Sequence, residues 1–480
     1  MTLRYGRRRF LGTTAGLLVG GILTACGPAP VSTPTATPAP AKPAPTPTPT
    51  PAAAPVGQPA GQRRKVTLEF WNWWGVQRKP LMDEILAQFS QTYPWITVNN
   101  VVQPWDRRAE KVLTALASGN PPQVIMATRE EIVRFAAEGL IVPITKYVKS
   151  RNLNVNEMFY QSEIESMWWK GELYSMPMPT AGGETGLMFV HTPLLQQAGL
   201  KPESPPKTWQ ELEQAARTLT KRSPAKGIEV MGADVGTNGT AFISWLYTNN
   251  GTFMSDDLRK VTFHSEEGVQ TLEWMLKFTN EINGGVENVN DFWQAATGEA
   301  GQFPFYQNRL AFWFTNVSAF FHIKNFAPNL QWGLALRPYN GTNPKAASHG
   351  VAALTFGWGY VIPKGLDSET EEAAYLLVEW ITTTEQGACR FMFEQMRPSP
   401  LKKCNENPKY KEINPYWDVV KESLARDIPM KITPVQSQLY QALNQQVQEA
   451  FFRRKTAKEA LTQAAEQAQR VLDEWWSKQR

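Results

Sequence analysis

All 18 tryptophans of the 480-residue chain lie at or beyond Trp71, and two stand side by side in Asn72-Trp73-Trp74-Gly75. An indole offers a flat apolar face and one N–H, and the neighbouring amide adds a donor and an acceptor. That mixture suits a ligand with apolar C–H faces and hydroxyl groups, as a sugar has. Adjacent strand residues point to opposite faces, so Trp73 and Trp74 divide between two surfaces if the strand persists. Trp209, Trp274 and Trp380 fall at helical positions and read as core. Catalytic constellations are missing from the sequence. The four histidines, His191, His264, His322 and His349, form no His-Glu-x-x-His pattern, and there is no Gly-x-Ser-x-Gly elbow. The run from Asn280 to Asp291 is rich in Asn and acids but lacks EF-hand spacing, and reads as a solvated loop. Glycoside hydrolysis needs two carboxylates about 5–9.5 Å apart. With 44 acidic residues such a pair can always be imagined, so sequence leaves that chemistry open. Neither a metal nor a cofactor is expected.

The elements that must position these residues alternate. Val66 to Trp71 is β-rich and alternating, and Pro80 opens a helical pattern carrying Leu81, Ile85, Leu86 and Phe89. A strand at Ile96–Val102, a helix from Arg107 to Ala117, the apolar strand Val124–Met126 and a helix from Glu130 to Glu138 follow. Downstream come a strand at Leu187–Val190, a helix carrying Leu212, Ala215, Ala216 and Leu219, and a helix from Glu266 to Asn280. Strands at Leu310–Phe314 and Gly359–Ile362 precede helices from about Pro434 to Arg453 and from Thr456 to Trp476. Strands interleaved with helices predict α/β layers with mainly parallel pairing. There is no internal repeat.

The N-terminus predicts export. Arg7-Arg8-Arg9-Phe10-Leu11 resembles a twin-arginine signal, although Sec-type signals are also basic and apolar. Leu23-Thr24-Ala25-Cys26 resembles a lipobox, which implies cleavage of residues 1–25 and lipidation of Cys26. The apolar run to Ala25 is short of the ~20 residues of a spanning helix. Residues 27–62 hold 12 prolines, with Lys42 the one charge, and predict an extended stalk through residue 65. At ~3.1 Å per residue it reaches on the order of 110 Å. Removing residues 1–25 takes away four of the 49 basic residues, leaving 45 against 44 acids. Such a neutral body gives no electrostatic reason to expect nucleic-acid binding. Outside the cytoplasm Cys389 and Cys404 are expected to form a disulfide, two free buried thiols being the alternative.

Residues 66–480 resemble an extracellular solute-binding protein of the carbohydrate type, the receptor component of ABC importers and akin to the maltose-binding protein. The resemblance rests on Leu116-Ala117-Ser118-Gly119-Asn120-Pro121-Pro122-Gln123-Val124, with Gln123 where the family usually has Asp, and on Ala137 to Ile144. Pro179, Gly186 and Leu194 to Leu200 continue it, with Val190-His191 in place of the family's Tyr-Asn pair. Pro206 to Leu212, Gly359 to Gly365, Ala373 to Thr384 and Met396-Arg397-Pro398-Ser399-Pro400 complete it. The resemblance implies an α/β, two-lobed periplasmic-binding-protein-like fold with three interlobe crossings and a ligand cleft. The crossings fall near residues 177–180, 338–350 and 397–401. One lobe is expected to hold 66–178 and 350–396, the other 181–338 and 397–480.

Carried over by position, the resemblance implies ligand contacts at Asn72, Trp73, Trp74, Arg129, Glu130, Glu184, Trp245, Asn316, Trp358, Arg397 and Tyr440. Glu130 also suits a helix N-terminus, Trp245 a core and Arg397 a clamp on a crossing. Trp74→Ala is expected to weaken ligand affinity without unfolding. The expected function is a monomeric, lipid-anchored, non-enzymatic receptor outside the cytoplasmic membrane, at the cell surface or in the periplasm. It would bind a carbohydrate, an oligosaccharide in the first instance, and deliver it to a permease. A binder of glycerol-phosphate, peptide or polyamine, a surface glycan hydrolase and a passive adhesin are the alternatives.

Overall fold

The computed structural model describes residues 63–75, 78–104, 106–178, 186–224, 227–296, 303–352 and 357–479. The export signal, Cys26, the Pro-rich segment through residue 62 and Glu184 lie outside the described residues.

In chain order the principal strands are Val66–Asn72 (β1), Ile96–Val102 (β2), Val124–Thr128 (β3), Leu187–His191 (β4), Lys221–Ser223 (β5), Gly227–Ala233 (β6), Leu310–Phe314 (β7), Trp332–Leu336 (β8) and Trp358–Val361 (β9). They form two sheets, one on each lobe. The first has the order β9-β3-β1-β2, with β1 parallel to β2 and β3 and with β9 antiparallel to β3. Alternation decides which face of β1 is inward: Val66, Leu68 and Phe70 are buried while Thr67 is exposed. Pro80 starts the Lys79–Thr92 helix, where a missing N–H costs nothing, and Met82, Ile85, Leu86 and Phe89 turn inward. Strand β3 is apolar and buried through Ala127, and Thr128 then caps the Arg129–Ala137 helix in a reciprocal box with Glu131.

The second sheet has the order β8-β4-β7-β6-β5. Only β6 and β7 run parallel; β4 is antiparallel to both β7 and β8, and β5–β6 is a hairpin. Mainly parallel pairing therefore holds for the first sheet and fails for the second. All five residues of β4 are buried, because helices cover both faces of its sheet. Leu187 and Phe189 join one cluster with Phe292, Phe320 and Trp417, while Met188 and Val190 join the other core. The expectation of a solvated loop over 280–291 is also corrected: Val286–Ala295 is a helix burying Val286, Val289 and Phe292.

Around residues 178, 186, 337, 350 and 428 the chain is closely packed. Met178 N–H donates to the Trp358 carbonyl, Arg337 N–H to that of Gly186, and Ile428 N–H to that of Gly350. A Cβ on Gly186 would lie 3.0 Å from the Gly350 Cα, so the two segments approach as only glycines allow. Farther along, Tyr160 N–H donates to the Pro400 carbonyl and Tyr410 Oη to that of Arg397. A disulfide joins Cys389 to Cys404. No helix among the described residues is long and apolar enough to cross a membrane.

Candidate functional site

The parallel pair β6–β7 ends on one side of its sheet, and open α/β sheets present ligand sites at strand carboxyl ends. A cavity of about 420 Å³ lies there. Asp234, directly after β6, accepts from Gly236 N–H at 2.7 Å and from the Trp293 indole N–H at 2.7 Å. Burial pushes the Asp234 carboxyl above the usual carboxylate range, against the opposing effect of those two donors. Asn238 caps the Gly239–Tyr247 helix by accepting from Ala241 N–H, which leaves its amide at the cavity wall. Trp293, Trp313 and Phe314 supply aromatic faces; Trp313 is steadied by Phe303, Phe305 and Tyr306 with ring centroids 4.6–6.1 Å away. Thr240, Ser244 and Asn316 add hydroxyl and amide groups. At the start of the loop after β8, Arg337 also lines the cavity, its guanidinium carbon 4.2 Å from the Trp245 ring centre and 5.0 Å from that of Phe314.

A second aromatic and charged cluster forms beside the first sheet. Arg108 makes a bidentate pair with Glu131 at 2.7 and 2.8 Å, and its guanidinium lies 5.4 Å from the Trp73 ring centre and 5.1 Å from that of Trp358. Glu131 is itself held by Thr128, so the capping box fixes the arginine that separates the two indoles. Glu130 stands on the same helix turn and hydrogen-bonds Ser437, at the start of the Gln436–Phe451 helix; burial pushes its carboxyl upward. One turn along that helix, Tyr440 Oη lies 2.7 Å from the Thr240 hydroxyl at the cavity. Contacts thus run from the Trp73–Arg108–Trp358 wall through Glu130, Ser437 and Tyr440 to the cavity.

The residues singled out in sequence divide sharply. Asn316 lines the cavity, accepting from Ser318 N–H at 2.8 Å, and Tyr440 stands beside it. Trp73 and Glu130 belong to the cluster around Arg108, and so does Trp358, which at 6% exposed is buried there. Five residues belong instead to the supporting structure. Trp74 is 4% exposed, packs edge-on against Phe391 and donates its indole N–H to Tyr360 Oη at 3.1 Å, so it is core rather than cleft. Asn72 is fully buried, bonded to Asn100 and to Trp74 N–H, and shapes the turn after β1. Arg129 is sealed in a buried ion pair with Glu163 and donates to the Ser162 carbonyl and Ser166 Oγ, which consumes it structurally. Trp245 is fully buried under the cavity, bonded to the Val235 carbonyl and packed on Trp274. Arg397 is buried, its carbonyl accepting from Tyr410 Oη.

Sequence reasoning missed Asp234, Trp293, Trp313, Arg108 and Arg337. A usable signal existed for Asp234: Asp234-Val235-Gly236-Thr237-Asn238-Gly239 is a turn-rich link of the kind that joins a strand end to a capped helix. Among the described residues no group of His, Cys, Asp and Glu is arranged to hold a metal ion.

A family model for bacterial extracellular solute-binding proteins matches residues 73–388. A Brucella abortus protein named as a binding protein is 23% identical over 304 residues, 61% of this chain and 66% of that protein, so the chain spans just under two thirds of its length. An sn-glycerol-3-phosphate-binding periplasmic protein of Salmonella typhimurium is 20% identical over 427 residues, covering 85% of this chain and 92% of that one. The crystal structure of an ABC transporter solute-binding protein from Thermotoga lettingae, bound with α-D-tagatose, matches with a TM-score of 0.69 at 22% identity, over 85% of this chain and 99% of that one. At such identities the structural likeness speaks for the two-lobed fold.

Proposed function

The chain belongs to the bacterial extracellular solute-binding protein family, and on that premise we propose that it captures a carbohydrate between its lobes and hands it to the permease of an ABC importer. One observation carries the reading: the cavity at the ends of β6 and β7 combines Trp293, Trp313 and Phe314 with Asp234, Asn238, Thr240 and Asn316. Indole and phenyl faces cover the C–H surfaces of a sugar ring, while the carboxylate, amides and hydroxyls match its hydroxyl groups. Trp73 and Trp358 of the opposite wall would complete the enclosure as the lobes close, and ligand would favour the closed state by its differential affinity. The ligand contacts we assign are Trp73, Glu130, Trp358, Asn316 and Tyr440, joined by Asp234, Trp293 and Trp313. Residues 66–178 with 350–396 and 181–338 with 397–480 form the two lobes in this reading. The protein acts as a monomeric extracytoplasmic receptor tethered through a lipidated Cys26, and binds without chemical turnover. The α-D-tagatose bound by the Thermotoga lettingae protein supports a sugar ligand in such a fold, and an oligosaccharide remains the first reading.

Titration of the purified full chain with mono- and oligosaccharides, followed by tryptophan fluorescence and melting temperature, tests this. A saturable change with a sugar, and no new product by chromatography, is the expected result. Product formation would replace the receptor with a hydrolase; no response to any saccharide would remove the carbohydrate.

A further inference from the structure

Arg337 is 5% exposed, yet its Nε and Nη1 are buried without a hydrogen-bond partner. Among the described residues no carboxylate forms an ion pair with it. Its backbone is fully engaged: the N–H donates to Gly186 and the carbonyl accepts from Ser348 Oγ at 2.7 Å. The main chain is therefore fixed, and the guanidinium is held over Trp245 and Phe314 at the wall of the cavity. Burying a cation without a counter-charge costs several kcal/mol, and the two rings return only ~2 kcal/mol of cation–π attraction. Burial alone pushes the group down to about 9, with no acid offsetting it, and it still carries its charge at neutral pH. The remaining ionisable group of the cavity, Asp234, is occupied by Gly236 N–H and the Trp293 indole. One cavity thus holds an uncompensated cation at one place and an acceptor-rich carboxylate at another.

We propose that Arg337 is the anion subsite of this cavity, so that the transported ligand is an acidic sugar or polyol bearing a carboxylate or phosphate group. The proposal rests on the sugar-receptor reading and narrows its substrate class. The acidic group would sit on the guanidinium, whose planar fork matches either oxyanion, while hydroxyls at the other end would donate to Asp234. Bound anion would supply the missing counter-charge, and the empty site would be held at a cost in stability that ligand removes.

Calorimetric titration of the full chain with glucose, glucuronate, glucose 6-phosphate, galacturonate oligomers and glycerol 3-phosphate tests this, repeated with Arg337→Gln and Arg337→Lys. At least one acidic probe should bind at least tenfold more tightly than its neutral counterpart, with the carboxylate and phosphate arms telling which oxyanion is used. Arg337→Gln should weaken that probe by about 10- to 100-fold, as loss of one or two charge-assisted hydrogen bonds predicts, and Arg337→Lys should restore part of it. A second readout needs no ligand: the melting temperature of unliganded Arg337→Gln should equal or exceed that of the parent, because an unpaired buried charge has gone. Tight binding of neutral sugars alone would overturn the anion subsite and leave the receptor reading standing. Acidic binding unchanged in Arg337→Gln, or a lower melting temperature with affinity intact, would also overturn it and make Arg337 a structural prop. Silence toward every probe would overturn both readings.

Discussion

Trp73 and Trp74 are neighbours with opposite assignments, and replacing each by alanine separates folding from binding. Trp74 packs on Phe391 at a centroid distance of 4.6 Å and donates to Tyr360 Oη. Truncating a buried tryptophan costs ~3–5 kcal/mol, to which the orphaned Tyr360 hydroxyl makes its own contribution of about 1 kcal/mol or more. With a midpoint shift of ~2–4 °C per kcal/mol for folding units of 150–250 residues, that loss of ~4–6 kcal/mol should make Trp74→Ala melt on the order of 8–24 °C below the parent. Trp73 is half-buried, donates to the Pro104 carbonyl at 3.2 Å and lies beside Arg108. Its loss removes only about 1 kcal/mol of stability, yet takes away a ring that should cover ligand, for about a tenfold loss of affinity or more. Differential scanning calorimetry and ligand titration at 10 °C, where both variants remain folded, measure the two effects independently. A Trp74→Ala protein that melts with the parent, or that keeps its fold and loses affinity more than Trp73→Ala, would refute the assignment.

Glu163→Gln should lower stability by about 3–5 kcal/mol in urea titrations, because it leaves the Arg129 guanidinium buried beside a neutral partner. Reducing the Cys389–Cys404 bond, which closes a 15-residue separation, should cost about 3 kcal/mol by loop-closure entropy, read as a lower melting temperature in reductant that a Cys389→Ser, Cys404→Ser double variant reproduces. His191 Nδ1 accepts from Leu194 N–H at 3.3 Å and caps the Thr192–Gln197 helix, and burial pushes its imidazole below the ordinary value. The unfolded chain, titrating near about 6.5, then binds a proton that the native state refuses, so the neutral-histidine stability is complete above that pH and is lost as pH falls toward the folded value. Melting temperatures should therefore decline between about pH 7 and 5, and His191→Asn, which keeps a cap acceptor, should flatten part of the slope; a parallel profile would remove His191 as a source.

Much of the fold was legible because local physics and tertiary context agree. Val66, Leu68 and Phe70 alternate, Pro80 starts a helix, and β3 is apolar throughout. The same alternation bears on the two neighbouring tryptophans. Trp74 shares the parity of Val66, Leu68 and Phe70 and Trp73 that of exposed Thr67, but the strand ends at Asn72, and Trp74 is placed by Phe391 and Tyr360 rather than by the pleat. Strand direction in the second sheet was not legible, since β4 gains its antiparallel neighbours β7 and β8 from more than 100 residues downstream and its own uniformly apolar sequence suits either pairing. The helix at Val286–Ala295 was hidden by its acids and amides, which occupy the face away from Val289 and Phe292.

Arginine shows where sequence stops. Arg108, Arg129 and Arg337 are alike in type. Arg108 is held by Glu131, and Arg129 by Glu163, Ser162 and Ser166. Those two charges are answered within the fold, whatever ligand arrives. Arg337 sits in Leu336-Arg337-Pro338, a fragment that looks like an exposed turn; its burial comes from Trp245, Phe314 and the close passage of Gly186, contributed by distant stretches of chain. A buried charge without a partner persists in a stable protein where function requires it, and strain of this kind collects at ligand sites. The discriminating property is therefore not which arginine lies in the cleft but which one the protein has left unanswered, and only the folded chain displays that.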